Sequence, residues 1–281
     1  MAVAKVLISG AGVGGLAAAA ALGQRGVSVD VVEAKPDATV LGVGINQPGN
    51  SLRALDALGV LEEVLAVGFP YPGNDYRDWN DNRIVEVPSS LGDERVPANC
   101  GLTRSGLHSI LTGAAQRAGA NVRYATTIEN FVDLGDAVRV TFNDGQVQDY
   151  DLLVGFEGLR SSLRRKLFGD DYEPTFTGSS VWRLQLPRPA HVTQCLLWQG
   201  DLVKGGVIPL SQDQMYMLLV TREPDNPRYA PEDYRHCSSS GLSGSRGCWV
   251  TSATRSPLTP RGSSTPRSTR STSPSRGTAA E

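Results

Sequence analysis

Cysteine is scarce and unpatterned in this chain: Cys100, Cys195, Cys237 and Cys248 are scattered with no C-x-x-C pair. That pattern suggests neither a disulfide framework nor a zinc site, and it fits reduced thiols in the cytoplasm. No uncharged apolar stretch approaches the length of a membrane span, so no membrane partner is expected. A basic surplus is missing too, except at one end. Arg235 to Glu281 holds seven arginines against one acid, a surplus of +6 that leaves −8 on the rest of a chain whose net charge is −2. The bulk of the molecule therefore has no general basic surface for nucleic acid. The dispersed arginines of the tail have no aromatic residue among them apart from Trp249, which argues against a nucleic-acid arm.

What the chain does have is 281 residues, 40% of them hydrophobic and 20% charged, enough for one large domain or two modest ones. The most informative stretch is Lys5 to Glu33. Val6, Leu7 and Ile8 make a short apolar strand, and Gly10-Ala11-Gly12-Val13-Gly14-Gly15 supplies a G-x-G-x-x-G turn through Gly10, Gly12 and Gly15. A helix from Gly14 to Gln24 follows and ends before Gly26. Val27, Val29, Val31 and Val32 then form a second strand tipped by Glu33. Strand, turn, helix, strand and acid in that order read as a dinucleotide cradle. The helix N-terminus and its dipole face a pyrophosphate, while Glu33 accepts hydrogen bonds from ribose hydroxyls. The Ala-rich run after Lys5 also has the look of a secretory leader. Four glycines interrupt it and an acid-tipped strand follows, so this start is read as structure.

Further along, Gly42 to Ile45 reads as a loop, Pro48 as the start of a helix carrying Leu52, Leu55 and Leu58, and Leu61 to Val67 as a second short helix. The Gly/Pro-rich stretch Gly68 to Asn74 leads into an irregular hairpin containing Trp79, Ile84, Val85 and Val87. Thr103 opens a helix running to Ala118. Three strands, Asn121 to Ala125, Ala137 to Phe142 and Gln146 to Tyr150, are expected to form an antiparallel meander with Asp144-Gly145 as a hairpin turn. Asp151-Leu152-Leu153-Val154-Gly155 is apolar after its acid and is expected to return to the parallel sheet, buried on both faces. Ser180 to Leu186, Gln194 to Trp198, Gly206 to Leu210 and Met215 to Thr221 read as a second sheet, with Met215 and Met217 as core packing.

Three motifs carry a resemblance to the single-component FAD-dependent aromatic hydroxylases of the para-hydroxybenzoate hydroxylase type. The first is the cradle, with Leu16, Ala19, Leu22 and Gly26. The second is Arg104 with Leu107 and Leu111, similar to that family's R-x-x-L-x-x-x-L helix. The third is Asp151 to Ser161, similar to its D-L-L-V-G-A-D-G-x-R-S motif. The third departs twice, with Phe156 in place of a small residue and Glu157 in place of aspartate. The family's second flavin motif, G-D-A with a following histidine and proline, is not found after the second sheet, where it is expected. From about Arg235 the chain turns Ser/Arg/Thr/Pro/Gly-rich, with too little apolar surface to offset its conformational entropy. The expectation there is a disordered tail from a truncated or frameshifted reading frame.

The resemblance covers roughly residues 3 to 233 and implies an α/β fold: a Rossmann-like FAD-binding parallel sheet with an antiparallel β-sheet substrate domain. FAD-binding segments 1–70 and 98–170, substrate segments 71–97 and 171–233 and a tail 234–281 are expected. It implies FAD held by Gly10, Gly12, Val13, Gly14, Gly15, Glu33, Arg104 and Glu157. It also implies NAD(P)H as reductant, molecular oxygen as co-substrate, and hydroxylation of a small phenolic ring through a flavin hydroperoxide. No catalytic dyad and no metal site need appear, because the cofactor carries the difficult chemistry. Arg183 is a candidate for a substrate carboxylate. His108 reads more readily as a surface histidine, and Gln47 and Tyr216 carry no assignment. A flavin dehydrogenase or reductase on the same fold, or a non-catalytic nucleotide-binding remnant, are the alternatives.

Overall fold

The structure, a computed structural model, describes residues 3–39, 42–200, 203–223 and 225. The tail expected at 234–281, with Cys237 and Cys248, lies outside the described residues. In chain order come β1 (Lys5–Ser9), α1 (Val13–Gly23), β2 (Ser28–Val32), β3 (Gly44–Pro48), α2 (Gly49–Ala57), α3 (Leu61–Val67), β4 (Phe69–Tyr71), β5 (Gly73–Arg77) and β6 (Arg83–Pro88). They continue as β7 (Asn99–Thr103), α4 (Arg104–Arg117), β8 (Asn121–Arg123), β9 (Ile128–Asp133), β10 (Val138–Phe142), β11 (Val147–Tyr150), β12 (Leu152–Gly155) and α5 (Ser162–Phe168). The last strands are β13 (Ser179–Pro187), β14 (Cys195–Gln199), β15 (Lys204–Pro209) and β16 (Gln214–Arg222).

Four sheets result. A parallel sheet runs β12-β1-β2-β8, and a small antiparallel sheet runs β3-β7-β4. A meander runs β11-β10-β9, and a six-stranded sheet runs β13-β16-β15-β14-β5-β6. The parallel pairing of β12, β1 and β2 and the existence of a second sheet are therefore as the sequence suggests. Val6, Leu7 and Ile8 of β1 are wholly buried, and the alanine-rich α1 lies against α4, packing Leu16, Ala19 and Ala20 with Leu107, Leu111, Ala114 and Ala115 in one core. Small side chains let the two helices approach closely. Each Leu buried there contributes about 1.5–3 kcal/mol, which holds the turn between β1 and α1 in place from behind.

Three sequence expectations need correction. The strand at Asn121 does not join the meander: β8 pairs in parallel with β2, where Asn121 Nδ2 donates to Asp30 Oδ1 at 2.9 Å. The meander begins instead at β9, whose alternation is hidden because Glu129, Asn130 and Asp133 are polar and only Ile128 is buried. Second, β12 is an edge strand among the described residues, with Leu152 43% exposed rather than buried on both faces. A continuous apolar run reports what a strand can bury, not which neighbours flank it. Third, β3 occupies part of what reads as a loop, because Gly44 to Pro48 pairs with β7, itself unread in the sequence. Pro48 still marks a helix start, as the N-cap of α2.

Candidate cofactor and substrate site

The turn from β1 into α1 is the centre of the site. Gly10 takes a left-handed φ of +111°, and a Cβ on Gly15 would fall inside the contact radius of the Gly10 carbonyl oxygen, so both positions demand glycine for packing. Gly12 differs, since a Cβ built there meets nothing within 4 Å. That open space lies at the N-terminus of α1, which has no side-chain cap, and among the described residues no acceptor takes the N–H of Gly12 or Val13. Uncapped N–H groups facing a gap are the arrangement that suits a phosphate.

A cavity of about 190 Å³ opens beside the turn, lined by Ala11, Gly12, Val13, Glu33, Arg104, His108 and Tyr124 among others. Glu33 sits at the end of β2 and faces it: Oε2 accepts from the Ala11 N–H at 3.0 Å and Oε1 from the Lys35 N–H at 3.1 Å. Its remaining lone pairs stay free for ribose hydroxyls. Burial raises the pKa of Tyr124, with the carboxylates of Glu33 and Asp37 adding to the effect. Arg104 stands at the first position of α4, capped by Thr103, whose side chain accepts from Gly106 N. His108, one turn on, corrects the surface assignment: it is 8% exposed and its Nε2 lies 2.8 Å from the Ala11 carbonyl oxygen. Its four-residue spacing from Arg104 was the available signal, and the depth of α4 decided the matter.

The other candidate residues fall in different places. Gly10, Gly14 and Gly15 shape the turn without lining the cavity. A Cβ on Gly14 would come within 2.9 Å of the Phe156 ring, so the bulky residue of the third motif is accommodated by a bare backbone opposite it. Glu157 does not line the cavity. It joins the end of β1 to α5, accepting from Ser9 Oγ and Ser161 Oγ at 2.8 Å each and from Leu163 N at 2.8 Å. Burial works to raise its pKa, but the hydrogen bonds from Leu163, Ser9, Ser161 and Ser162 outweigh it and hold the carboxyl below its ordinary value.

Arg183 lies on β13 opposite Leu218 of β16, on the face of the six-stranded sheet that also carries Tyr216. That face meets the small sheet: Tyr71, Cys195, Ile208, Leu210 and Tyr216 form one buried cluster, and a Cβ on Gly44 would strike the Tyr216 ring. Tyr216 is pushed up to about 12, first by burial and then by Cys195, while the positive charges of Arg183 and Arg104 oppose the rise. The two arginines, distant in sequence, thus act on one phenol. Burial alone pushes the Cys195 thiol up to about 12, and burial pushes Cys100 up to about 11, so both free cysteines are inert packing groups.

The uncapped N–H groups, the gap at Gly12 and the carboxylate of Glu33 together fit the adenosine diphosphate half of FAD. A family described as FAD binding domain matches residues 3–245. The chain is 31% identical over 223 residues to the 2-heptyl-3-hydroxy-4(1H)-quinolone synthase of Pseudomonas aeruginosa, covering 78% of this chain and 57% of that one. It is 28% identical to 3-hydroxybenzoate 6-hydroxylase 1 of Aquipseudomonas alcaligenes, covering 77% and 57%. Its fold matches the crystal structure of Klebsiella pneumoniae HpxO complexed with FAD and uric acid at a TM-score of 0.75, with 23% identity and coverage of 86% and 62%. The chain thus spans less than two thirds of the length of these relatives. No described helix is long and apolar enough to cross a membrane. The glycine turn, the acid of β2 and the family match agree, and the chain belongs to the FAD binding domain family.

Proposed function

We propose that the chain forms the cofactor- and substrate-holding part of an FAD-dependent monooxygenase that hydroxylates a small phenolic ring with NAD(P)H as reductant. The observation that carries this reading is the continuity of the site. Arg104 lines the cavity beside the glycine turn and packs against Gly42, and two residues on, Gly44 packs against Tyr216 on the face of the six-stranded sheet that carries Arg183. A cofactor held at the turn would extend past Arg104 toward that sheet face, with segments 71–97 and 171–233 supplying the substrate side.

In this reading Gly12 and Val13 present their N–H groups to the diphosphate, Gly10, Gly14 and Gly15 keep the turn tight, and Glu33 accepts the ribose hydroxyls. Arg104 contacts the cofactor beyond the diphosphate, and Glu157 fixes the end of β1 against α5 so that the turn does not spread. FAD when bound supplies electron transfer from NAD(P)H and activation of molecular oxygen. Arg183 and Lys204 are exposed and, among the described residues, unpaired with any carboxylate, although both lie on the Tyr216 face. Uncommitted cations on the face that carries the Tyr216 phenol suit an aromatic substrate bearing an acidic group, whose phenolate the cations would favour. Hydroxylated ring compounds in the names of the relatives support the same class. A cytoplasmic setting, where thiols such as Cys100 and Cys195 stay reduced, fits this reading.

The test is a visible spectrum of the purified chain followed by product analysis under heavy oxygen gas. A yellow protein that inserts the label into an aromatic acid is the expected result. Flavin absorption without label in the product would favour a dehydrogenase or reductase on this fold. A colourless chain that does not take up added FAD would favour a non-catalytic remnant and sink the proposal.

A further inference from the structure

Tyr124 has no part in the function proposed above, yet it lines the same cavity as Gly12 and Glu33. It follows Arg123, the last residue of β8, and β8 pairs in parallel with β2, which pairs in parallel with β1. The carboxyl ends of the three strands therefore stand in a row along one edge of the sheet, about 4.8 Å apart. The glycine turn leaves the end of β1, Glu33 stands at the end of β2 and Tyr124 at the end of β8. A nucleotide has the same order of parts: diphosphate, ribose, base. With its diphosphate at Gly12 and Val13 and its ribose at Glu33, a cofactor runs across the strands and its base arrives at Tyr124.

Backbone bonds on both sides hold Tyr124 in that place. The Glu33 N–H donates to the Arg123 carbonyl oxygen at 2.9 Å, the Ala125 N–H to the Lys35 carbonyl oxygen at 2.8 Å and the Thr126 N–H to the Glu33 carbonyl oxygen at 3.0 Å. The carbonyl oxygen of Tyr124 itself accepts from Thr126 Oγ1 at 2.9 Å. Ala125 takes a left-handed φ of +50°, which an alanine keeps only where its surroundings over-determine it, and such residues gather at ligand clamps. It turns the chain as soon as Tyr124 has passed, so the chain leaves β8 at the cavity instead of extending beyond it. Burial first, and then the carboxylates of Glu33 and Asp37, raise the pKa of Tyr124, which sets those two groups beside its phenol. A base stacks on any aromatic face without needing a particular hydrogen-bond pattern. The cavity residues that follow Glu33, namely Lys35, Asp37, Ala38 and Thr39, offer no such face.

We propose that Tyr124 is the base-stacking residue of the cradle, the aromatic wall on which the adenine of FAD rests. This depends on the reading above, in which the diphosphate lies at Gly12 and Val13 and the ribose at Glu33.

The experiment is calorimetric titration of the cofactor-free chain with FAD and, separately, with ADP, which has the same base, ribose and diphosphate but no flavin. The parent chain should bind both. Tyr124→Ala should weaken both by about tenfold or more, as expected for losing the stack on one base. Its unfolding midpoint should stay near that of the parent, because the ring is only half-buried. Tyr124→Phe keeps the ring and loses the hydroxyl, and it should bind both ligands to within about twofold of the parent. Tyr124→Leu keeps apolar bulk without an aromatic face, and it should bind at least about fivefold more weakly than Tyr124→Phe. That last comparison decides the matter if Tyr124→Ala does not fold. Equal affinities in Tyr124→Leu and Tyr124→Phe, or a loss in Tyr124→Phe as large as in Tyr124→Ala, overturns the proposal while leaving the cradle intact. Failure of the parent chain to bind either ligand overturns both.

Discussion

The glycine turn and the Tyr216 face of the six-stranded sheet are two halves of one proposed site, but they are built on opposite principles. At the turn the residues leading into α1 are held by partners from elsewhere in the fold: Ala11 by Glu33 and His108, Gly10 by Val32, Ser9 by Glu157. On the sheet face Arg183 and Lys204 reach solvent and, among the described residues, pair with no carboxylate. The first half is organised before any ligand arrives, and the second leaves charge uncommitted for a ligand to pair. Tight preorganisation suits a constant partner such as a cofactor, while uncommitted charge suits the substrate.

The sharpest way to test the rigidity of the turn is to compare two of its glycines. Gly15→Ala drives a methyl group into the Gly10 carbonyl and should destabilise the chain by about 3 kcal/mol or more in chemical denaturation. Gly12→Val enters open space, so it should leave the unfolding midpoint nearly unchanged while weakening FAD binding by on the order of a hundredfold. Equal losses of stability in the two variants would dissolve the distinction between a packing glycine and a ligand-facing one.

The sheet has a rigid feature of its own, which bounds the contrast. Asp75 on β5 is 1% exposed and accepts from Arg77 at 2.8 Å and Arg83 at 2.9 Å. Burial works against its ionisation, but the two guanidinium groups hold its pKa below the ordinary value. Asp75→Ala should cost about 2 kcal/mol, less than for a wholly buried pair because both arginines reach solvent. Cofactor affinity should not follow, and a parallel loss would mean that the two halves are mechanically coupled.

Arg183→Ala should weaken binding of an aromatic acid by roughly tenfold, leave its uncharged analogue and FAD unaffected, and show no change in thermal midpoint. Equal weakening of acid and analogue would remove Arg183 from the site. The smallest effect is expected at the base of the turn. Glu157→Ala should cost about 1–2 kcal/mol near neutral pH. The folded pKa of Glu157 is depressed, so the carboxylate contributes stability above its unfolded pKa and loses it as pH falls through the folded one. The difference between parent and variant should therefore shrink below about pH 4.

Much of this was legible because it is local. The cradle lies within the stretch from Lys5 to Glu33, and its strand, turn and helix are fixed by neighbours a few residues away. The strands of the second sheet show themselves by alternation, as in Gln214–Arg222, where Met215 and Tyr216 fall on opposite faces and into separate cores. The meander was misread for the converse reason. Asn121 resembles any short strand, and only pairing with β2 assigns it to the parallel sheet. His108 reads as solvent-facing because a histidine on a helix ordinarily is, and only the packing of α4 against the glycine turn places it at the Ala11 carbonyl.

The amino-acid order by itself determined the glycine turn between β1 and α1, the α/β class and the family, since glycine spacing, helical periodicity and a strand-end acid all act over short range. Tertiary packing alone decided which residues converge. It brought His108 to Ala11, set Arg183 and Tyr216 on one sheet face, and sent Glu157 to Ser9 rather than to the cavity. Such meetings depend on how whole sheets dock, and the docking is set by buried surface summed over many residues, which no short motif encodes.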